Sequence, residues 1–447
     1  MVKLHISHYS KRGHGLGEVD CRQVEVVGTV VGDTVRVSPC CKKKRGRWRA
    51  ALVEVVYPSS DRVEARCIHS GVCGGCSWQQ ISYAAQLVTK RDILQALFPS
   101  SPPCIPCADP WHYRNKMEFS FSQDREGNCF LGLIIAGSRG HVLNLKECYL
   151  TPLWFVTMVK AIYSWWQESG LLAYHYHGDK GSLRTLTLRE GRRTGEKMVC
   201  LTISGNRDYF IDRTQLDTFK KVVRLTLPHE NPSIFLRIHH ISKGKPSEYY
   251  EMHLDGPEGI KEELHLNGKK LFFQISPSSF FQTNTLQAEK LYAQVLALTD
   301  PKPTDILFDL YCGMATLGIV FSPYVREVIG VELSPNAVCD AKMNITMNNL
   351  SNITIRHGDV GAILTQILLP PDICIVNPPR SGLSPSALKE LIRIAPTKIL
   401  YISCNPKTQS ENIAFLVEEG YILKSVQGVD QFSHTPHVEN IAILIKH

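Results

Sequence analysis

No run of about 20 apolar residues occurs anywhere in this 447-residue chain, which excludes a membrane-spanning helix. The opening residues, Met1-Val2-Lys3-Leu4-His5, lack the apolar core of a secretion signal, so a cytoplasmic setting is expected. There is no G-x-G-x-x-G, which argues against a dinucleotide cofactor; Gly13-His14-Gly15-Leu16-Gly17 is too short, and no strand precedes it. The C-x3-C-x2-C of radical enzymes is missing, as is the cysteine run of ferredoxins. Internal repeats and low-complexity tracts are missing too.

What is present is an ordinary globular composition, 43% hydrophobic and 21% charged, long enough for two or three domains. Fifteen cysteines without an export signal point to metal ligands, a nucleophile or small core residues rather than disulfides. The net charge of +8 is uneven: residues 1–57 hold eleven Lys and Arg against five Asp and Glu, or +6 of the total. Such a lobe suggests a phosphate-bearing partner, although a charge run also serves as a solvated face. Short β-branched runs at 23–27, 34–37 and 50–56, punctuated by Gly28, Gly32 and the basic loop 41–46, predict a small OB-like β-barrel.

Cys67, Cys73 and Cys76 follow, the last two separated by Gly74-Gly75. Three cysteines so close suggest a metal site whose fourth ligand comes from Cys104, Cys107, Cys129 or Cys148. Spacing alone leaves zinc on Cys73, Cys76, Cys104 and Cys107 open beside an iron–sulfur cluster. Residues 83–97 predict an amphipathic helix, with Leu87, Ile93, Leu94 and Leu97 inward and Lys90, Arg91 and Asp92 outward. Alternating strands at 113–121, 130–135, 183–188 and 198–203 and a helix at 152–167 predict a mainly antiparallel α+β domain up to residue 275. Trp154, Trp165 and Trp166 are expected in its core.

From about residue 276 strand and helix alternate, which predicts a doubly wound, Rossmann-like α/β domain. Its apolar runs end on polar residues. The run 306–310 ends at Tyr311, 328–331 at Glu332, 353–356 at Gly358-Asp359, 372–376 at Asn377-Pro378-Pro379-Arg380 and 398–402 at Ser403-Cys404-Asn405-Pro406. In open α/β sheets ligands bind at those strand ends. A glycine after the first strand and acids after the second and third suit S-adenosylmethionine better than NAD. A cysteine at a strand end is usually a small buried hydrophobe. Beside a methyl donor it has another use: a thiolate adding to C6 of uracil makes C5 nucleophilic, and a base must afterwards remove the C5 proton. The segment before the last strand offers His434, His437 and Glu439 for that step; otherwise it is a turn with two surface histidines.

These pieces together resemble the RNA uracil-C5 methyltransferases, in particular bacterial 23S rRNA members with a TRAM domain and an iron–sulfur cluster. The matching stretches are Phe281-Gln282-Thr283-Asn284, residues 309–313, Glu332, Pro378-Pro379-Arg380, Ser403-Cys404-Asn405-Pro406, His434-Thr435-Pro436-His437-Val438-Glu439 and Leu145-Lys146-Glu147-Cys148. The resemblance implies a TRAM barrel over 1–57, a central iron–sulfur domain over 58–275 and a methyltransferase domain over 276–447, with helix 83–97 packing back on the last. It implies Cys404 as nucleophile and Glu439 as C5-proton base. Gln282, Tyr311, Thr316, Glu332 and Asp359 would line the S-adenosylmethionine site, with Asn377 beside them, and Cys67, Cys73, Cys76 and Cys148 would hold a [4Fe–4S] cluster. The partner implied is 23S rRNA, handled by a monomer away from membranes. Asn377 departs from the family, which has aspartate there; Ser433 replaces proline, and Thr316 an asparagine. Asn377-Pro378-Pro379 also resembles the signature of exocyclic-amine methyltransferases, a competing reading, and a third is an RNA-binding assembly factor with a decayed site.

Overall fold

The computed structural model describes residues 1–39, 41–42, 48–138, 140–241, 247–368 and 370–447. Most of the basic loop expected at 41–46 therefore lies outside the described residues.

The N-terminal region is built from short strands around one apolar cluster of Leu4, Ile6, Val24, Val26, Val35 and Val37. They are β1 (Val2–His5), β2 (His8–Tyr9), β3 (Gly15–Val19), β4 (Arg22–Val26), β5 (Thr34–Val37), β6 (Cys41–Lys42), β7 (Trp48–Ala50) and β8 (Leu52–Tyr57). Their order is β1-β5-β8 in one sheet and β2-β3-β4-β7-β6 in the other. The turn into β5 is pinned electrostatically. Buried Asp33 accepts from the backbone of Val30 and Ser59 and from the Arg62 guanidinium, which together hold its carboxyl below the usual range.

After helix α1 (Tyr83–Gln95) comes a six-stranded sheet of β9 (Lys116–Gln123), β10 (Cys129–Gly132), β11 (Leu183–Glu190), β12 (Lys197–Ser204), β13 (Ser233–His240) and β14 (Glu248–Asp255), ordered β10-β9-β11-β12-β13-β14. One face packs on helices α2 (Leu153–Ser169) and α3 (Arg213–Thr226). Trp165 and Trp166 are buried there, as expected, and half-buried Trp154 donates to Glu190 at 2.6 Å. The sheet is not wholly antiparallel: β12 and β13 run parallel, with α3 as the crossover between them. The hairpin β15 (Ile260–Leu266) and β16 (Lys269–Ile275) shares one core cluster with Met198, Cys200 and Phe235 of this sheet and with the C-terminal sheet.

The C-terminal part begins with α4 (Thr285–Thr299) and alternates strand and helix until its end, where two strands follow in succession. The elements are β17 (Ile306–Leu310), α5 (Thr316–Phe321), β18 (Glu327–Glu332), α6 (Pro335–Met347), β19 (Ile353–His357), α7 (Val360–Leu364), β20 (Ile373–Val376), α8 (Pro385–Ile394), β21 (Lys398–Ser403), α9 (Pro406–Glu418), β22 (Tyr421–Val429) and β23 (Glu439–Lys446). The sheet order β19-β18-β17-β20-β21-β23-β22 is parallel up to β21, while β23 runs antiparallel to both neighbours. Helices cover both faces, so β20, β21 and β23 are nearly continuous apolar runs. The sheet order reverses at β17, between β18 and β20, and at such switch points open α/β sheets bind ligands beyond the carboxyl ends of their strands.

Helix α1 corrects the amphipathic reading. Its buried residues are Gln86, Lys90 and Leu94, and Ile93 is exposed. Positions 83, 86 and 90 share a helical face, and it is a polar face pressed onto residues 430–434. Lys90 donates to Asp430 at 2.5 Å and to the Phe432 carbonyl at 3.0 Å. Tyr83 and Ser433 donate to the other oxygen of Asp430 at 2.6 and 2.7 Å. Gln86 accepts from the backbone N–H of His434 at 2.9 Å. A helix from the central region is thus fastened to the segment that leads into β23.

Candidate active site

Five strand ends lie side by side in sheet order: β19 delivers Asp359, β18 Glu332, β17 Tyr311, β20 Asn377 and β21 Cys404. Tyr311 and Ala315 both adopt left-handed backbone at φ 63°, unusual for residues with a side chain, and Gly313 does so at φ 55°. This tight loop is tied to Glu332, whose two oxygens accept from the backbone of Gly313 at 3.0 Å and Ser334 at 2.7 Å. Asp309 supports the loop from beneath. One oxygen accepts from Gly318 at 2.9 Å, the other is buried without a partner among the described residues, and burial pushes its pKa up to about 7. Asp359 caps α7, accepting from Ala362 at 3.1 Å. Thr316 is the first residue of α5. Gln282 stands apart from this row, before α4, where its side-chain oxygen accepts from Gln431 at 3.3 Å.

Cys404 and Glu439 are brought together by register. Ser403 of β21 opposes Asn440 of β23, so the residue after the first and the residue before the second are the next cross-strand neighbours. Glu439 is 3% exposed, and burial raises its pKa to about 8 against the opposing pull of Arg380. Burial and the Glu439 charge raise the Cys404 thiol, while a hydrogen bond and positive charge from Arg380 lower it. Arg380 therefore faces both groups. Its backbone is held by Asn405 and Thr408, which donate to its carbonyl at 2.9 and 3.3 Å.

Of the two histidines, His437 is exposed, as a surface turn predicts, but His434 is not a surface residue. His434 is 3% exposed, adopts φ 63° and stacks on Trp111 at 3.8 Å between ring centres. Burial drives His434 down to about 4, so it is neutral at pH 7. Of the three candidate bases, only Glu439 neighbours Cys404 across the strands.

Cys404 opens into a cavity of about 660 Å³. Its walls come from all three regions: Lys11 and Arg12 near the N-terminus, Arg114 from the middle, and Arg380, Cys404 and His437 from the C-terminal part. Four cationic side chains around one cleft give an anionic polymer a path to the cysteine. The same cleft passes the Cys73–Cys76 loop.

Cys67, Cys73, Cys76 and Cys148 line a smaller cavity of about 20 Å³ together with Met117, Leu133 and Leu145. Gly75 donates its N–H to the Cys73 sulfur at 3.3 Å. Burial raises the thiols of Cys67, Cys73 and Cys76. Among the described residues, no group of three or more His, Cys, Asp or Glu is arranged to hold a metal ion. Cys104 and Cys107, the alternative zinc ligands, do not line this cavity. Cys104 packs with Leu94 and Val438, and Cys107 donates to the Asp109 carbonyl at 3.1 Å.

Residues 233–359 and 370–447 match the family described as tRNA (Uracil-5-)-methyltransferase. The chain is 48% identical over 441 residues to an uncharacterized RNA methyltransferase of Protochlamydia amoebophila, across 94% of this chain and 99% of that one. It is 34% identical over 464 residues to another from Caldanaerobacter subterraneus, across 100% and 99%. This chain is an RNA methyltransferase of the (uracil-5-)-methyltransferase family. The enzyme shares its fold with the tRNA (uracil-54, C5)-methyltransferase of Pyrococcus abyssi, solved in complex with S-adenosyl-L-homocysteine, at TM-score 0.75 and 24% identity over 99% of this chain and 100% of that one.

Two participants in the site escape sequence reading. Arg380 is legible as part of a motif but not as the charge that faces both Cys404 and Glu439. Asp309 looks like one more strand residue until its burial is known.

The buried carboxyl of Glu439 has a pH signature. Its folded pKa of about 8 lies above the 4.5 of an exposed glutamate, so folding favours the protonated form. The resulting penalty is absent below about pH 4.5 and complete above about pH 8, where it amounts to at most about 5 kcal/mol. Glu439→Gln is expected to raise the melting temperature at pH 9 and leave it unchanged near pH 4.5. Equal melting temperatures at pH 9 would show that the carboxyl is solvated.

Proposed function

We propose that this enzyme methylates C5 of a uridine in 23S rRNA, with S-adenosylmethionine as donor. The observation that carries the reading is the cross-strand placement of Cys404 beside the buried Glu439 at the mouth of a cationic cleft. The donor is assigned to the strand ends at the switch point: Glu332 would offer its carboxylate to ribose hydroxyls, Asp359 would meet the adenine, and Tyr311, Thr316 and Asn377 would flank them; Gln282, apart from that row, is assigned to the site on the family resemblance. When bound, S-adenosylmethionine supplies an electrophilic methyl group.

The chain's own residues do the rest. The Cys404 thiolate adds to uracil C6, and the ring electrons move onto O4 as an enolate. C5 then takes the methyl as its bond to the donor's sulfonium sulfur breaks, S-adenosylhomocysteine being the leaving group, and becomes tetrahedral. The Glu439 carboxylate removes the C5 proton, the C5=C6 bond re-forms, and the C6–S bond breaks to release the thiolate. A carboxylate with a raised pKa is the stronger base for that step. Arg380 stabilises both anions in turn.

Cys67, Cys73, Cys76 and Cys148 are assigned to a [4Fe–4S] cluster. Support comes from the donor chemistry of four cysteines around one cavity and from the Gly75 amide directed at the Cys73 sulfur. Far in sequence from Cys404, the cluster would shape the cleft wall. The strands over 1–57 are assigned to RNA holding as a TRAM-like domain, on their basic character and their share of the cleft. The 23S rRNA assignment rests on that domain together with the cluster. Incubation with labelled donor and either unmodified 23S rRNA or unmodified tRNA tests it. Label in rRNA is expected, and label confined to tRNA would overturn the substrate.

A further inference from the structure

A second polar cavity, of about 80 Å³, lies at the end of the six-stranded sheet, away from the strand ends that hold Cys404. Arg184, Ser204, Gly205, His239 and His240 line it. Its volume is more than twice that of a water molecule in the liquid. Two of its polar atoms are unused. Arg184 Nη1 and His239 Nε2 are both buried, and neither has a hydrogen-bond partner among the described residues. The sheet is irregular here. The pairing of β11 with β12 slips between Leu183 and Thr185, which leaves Arg184 as the extra residue of a bulge. Bulges re-aim side chains, and this one lays the guanidinium over the Tyr174 ring at 4.0 Å, beside His239. The carboxylate in the cavity, Asp179, is already engaged by Tyr174 Oη at 2.9 Å and Asn206 Nδ2 at 3.3 Å.

The rim is aromatic and open. His239 stacks on Tyr249 with ring centres 4.3 Å apart and planes 26° apart, and His240 meets Tyr250 edge-on. Tyr249 and Tyr250 are 54% and 55% exposed. Burial, reinforced by Arg184, drives His239 down to about 4, so its ring stacks as a neutral aromatic. Gly205 permits the arrangement, because a Cβ there would meet the His240 ring at 2.4 Å.

We propose that this end of the sheet is a second RNA-contact site, in which Arg184 and His239 take a backbone phosphate and Tyr249 stacks an unpaired base of the strand flanking the target. The inference rests on the family's RNA substrate, and its position agrees with that. Glu118 and Ser120 of β9 line the catalytic cleft, and Ser120 pairs directly with Thr185, the neighbour of Arg184. Adjacent strands are about 5 Å apart, so a strand leaving the cleft over this sheet reaches the site within a few nucleotides. Sheets that present aromatic rings beside cationic groups bind single-stranded RNA in this way.

The test measures binding alone, without methyl donor, so its result is independent of whether uridine is methylated. The full-length protein is titrated with a short fluorescein-labelled oligouridylate over a salt series and is separately cross-linked to it by ultraviolet light. Tyr249→Ala is expected to weaken binding about tenfold, with Tyr249→Phe restoring it. Arg184→Gln is expected to lower the salt slope by about 0.7. The peptide carrying Tyr249 and Tyr250 should be cross-linked in the unmodified chain, a readout that needs no variant to fold. Unchanged affinity in both variants, or no cross-link at that peptide, overturns the inference. So does a change of oligomeric mass without a change in RNA binding, which would make edge strand β14 a protein interface.

Discussion

Glu439→Gln is expected to halt the enzyme with its RNA covalently attached. Cys404 can still add to C6 and C5 can still take the methyl, but nothing then removes the C5 proton, so the thiolate cannot leave. Mixed with RNA and S-adenosylmethionine, the variant should give a protein–RNA species that survives denaturing electrophoresis, with turnover reduced about 10²- to 10⁴-fold. Cys404→Ala should give neither adduct nor product. Glutamine keeps the shape of the buried site and relieves the strain of a buried carboxyl, so loss of turnover cannot be blamed on unfolding. If Glu439→Gln turned over normally, Glu439 would not be the base. If Cys404→Ala still formed the adduct, the nucleophile would be another residue.

The second large effect concerns stability. Lys90 and Asp430 are 0% and 1% exposed and meet at 2.5 Å. Removing one partner of such a pair strands the other in a low-dielectric interior, at about 3–5 kcal/mol. Lys90→Met is expected to lower the unfolding free energy in urea by that amount, even though Tyr83 and Ser433 still donate to Asp430. Lys90→Met with Asp430→Asn should recover most of it, because no unpaired charge remains. Asp430 lies in the segment that leads into Glu439, so the single variant should also lose methylation. A loss below about 1 kcal/mol would mean that water reaches the carboxylate.

The C-terminal sheet was legible because its strands are buried on both faces, which writes them as apolar runs ending on polar residues. Ile306 to Leu310 and Lys398 to Ser403 are read almost to the residue. Strand β22 is hidden because Lys424 and Gln427 break its apolar pattern at an edge. Helix α1 misleads for a different reason. Periodicity assigns polar residues to solvent, but Tyr83, Gln86 and Lys90 face Asp430 and His434, partners about 340 residues away. The same limit applies at the site. Cys404, Glu332 and Asp359 stand out locally as polar residues at strand ends. Choosing Glu439 over His434 and His437 requires the antiparallel register of β21 with β23, and the part played by Arg380 needs the turn after β20 as well.

In the proposed reaction the methyl group displaces hydrogen from C5 of uracil through Cys404. The direct measurement uses RNA carrying tritium at C5 of uridine together with a methyl donor labelled with carbon-14. One tritium released to water for each methyl incorporated, with both lost in Cys404→Ala, is the predicted result. Methyl incorporation without tritium release would contradict it. It would move the acceptor to another atom, such as the exocyclic amine that Asn377-Pro378-Pro379 would favour.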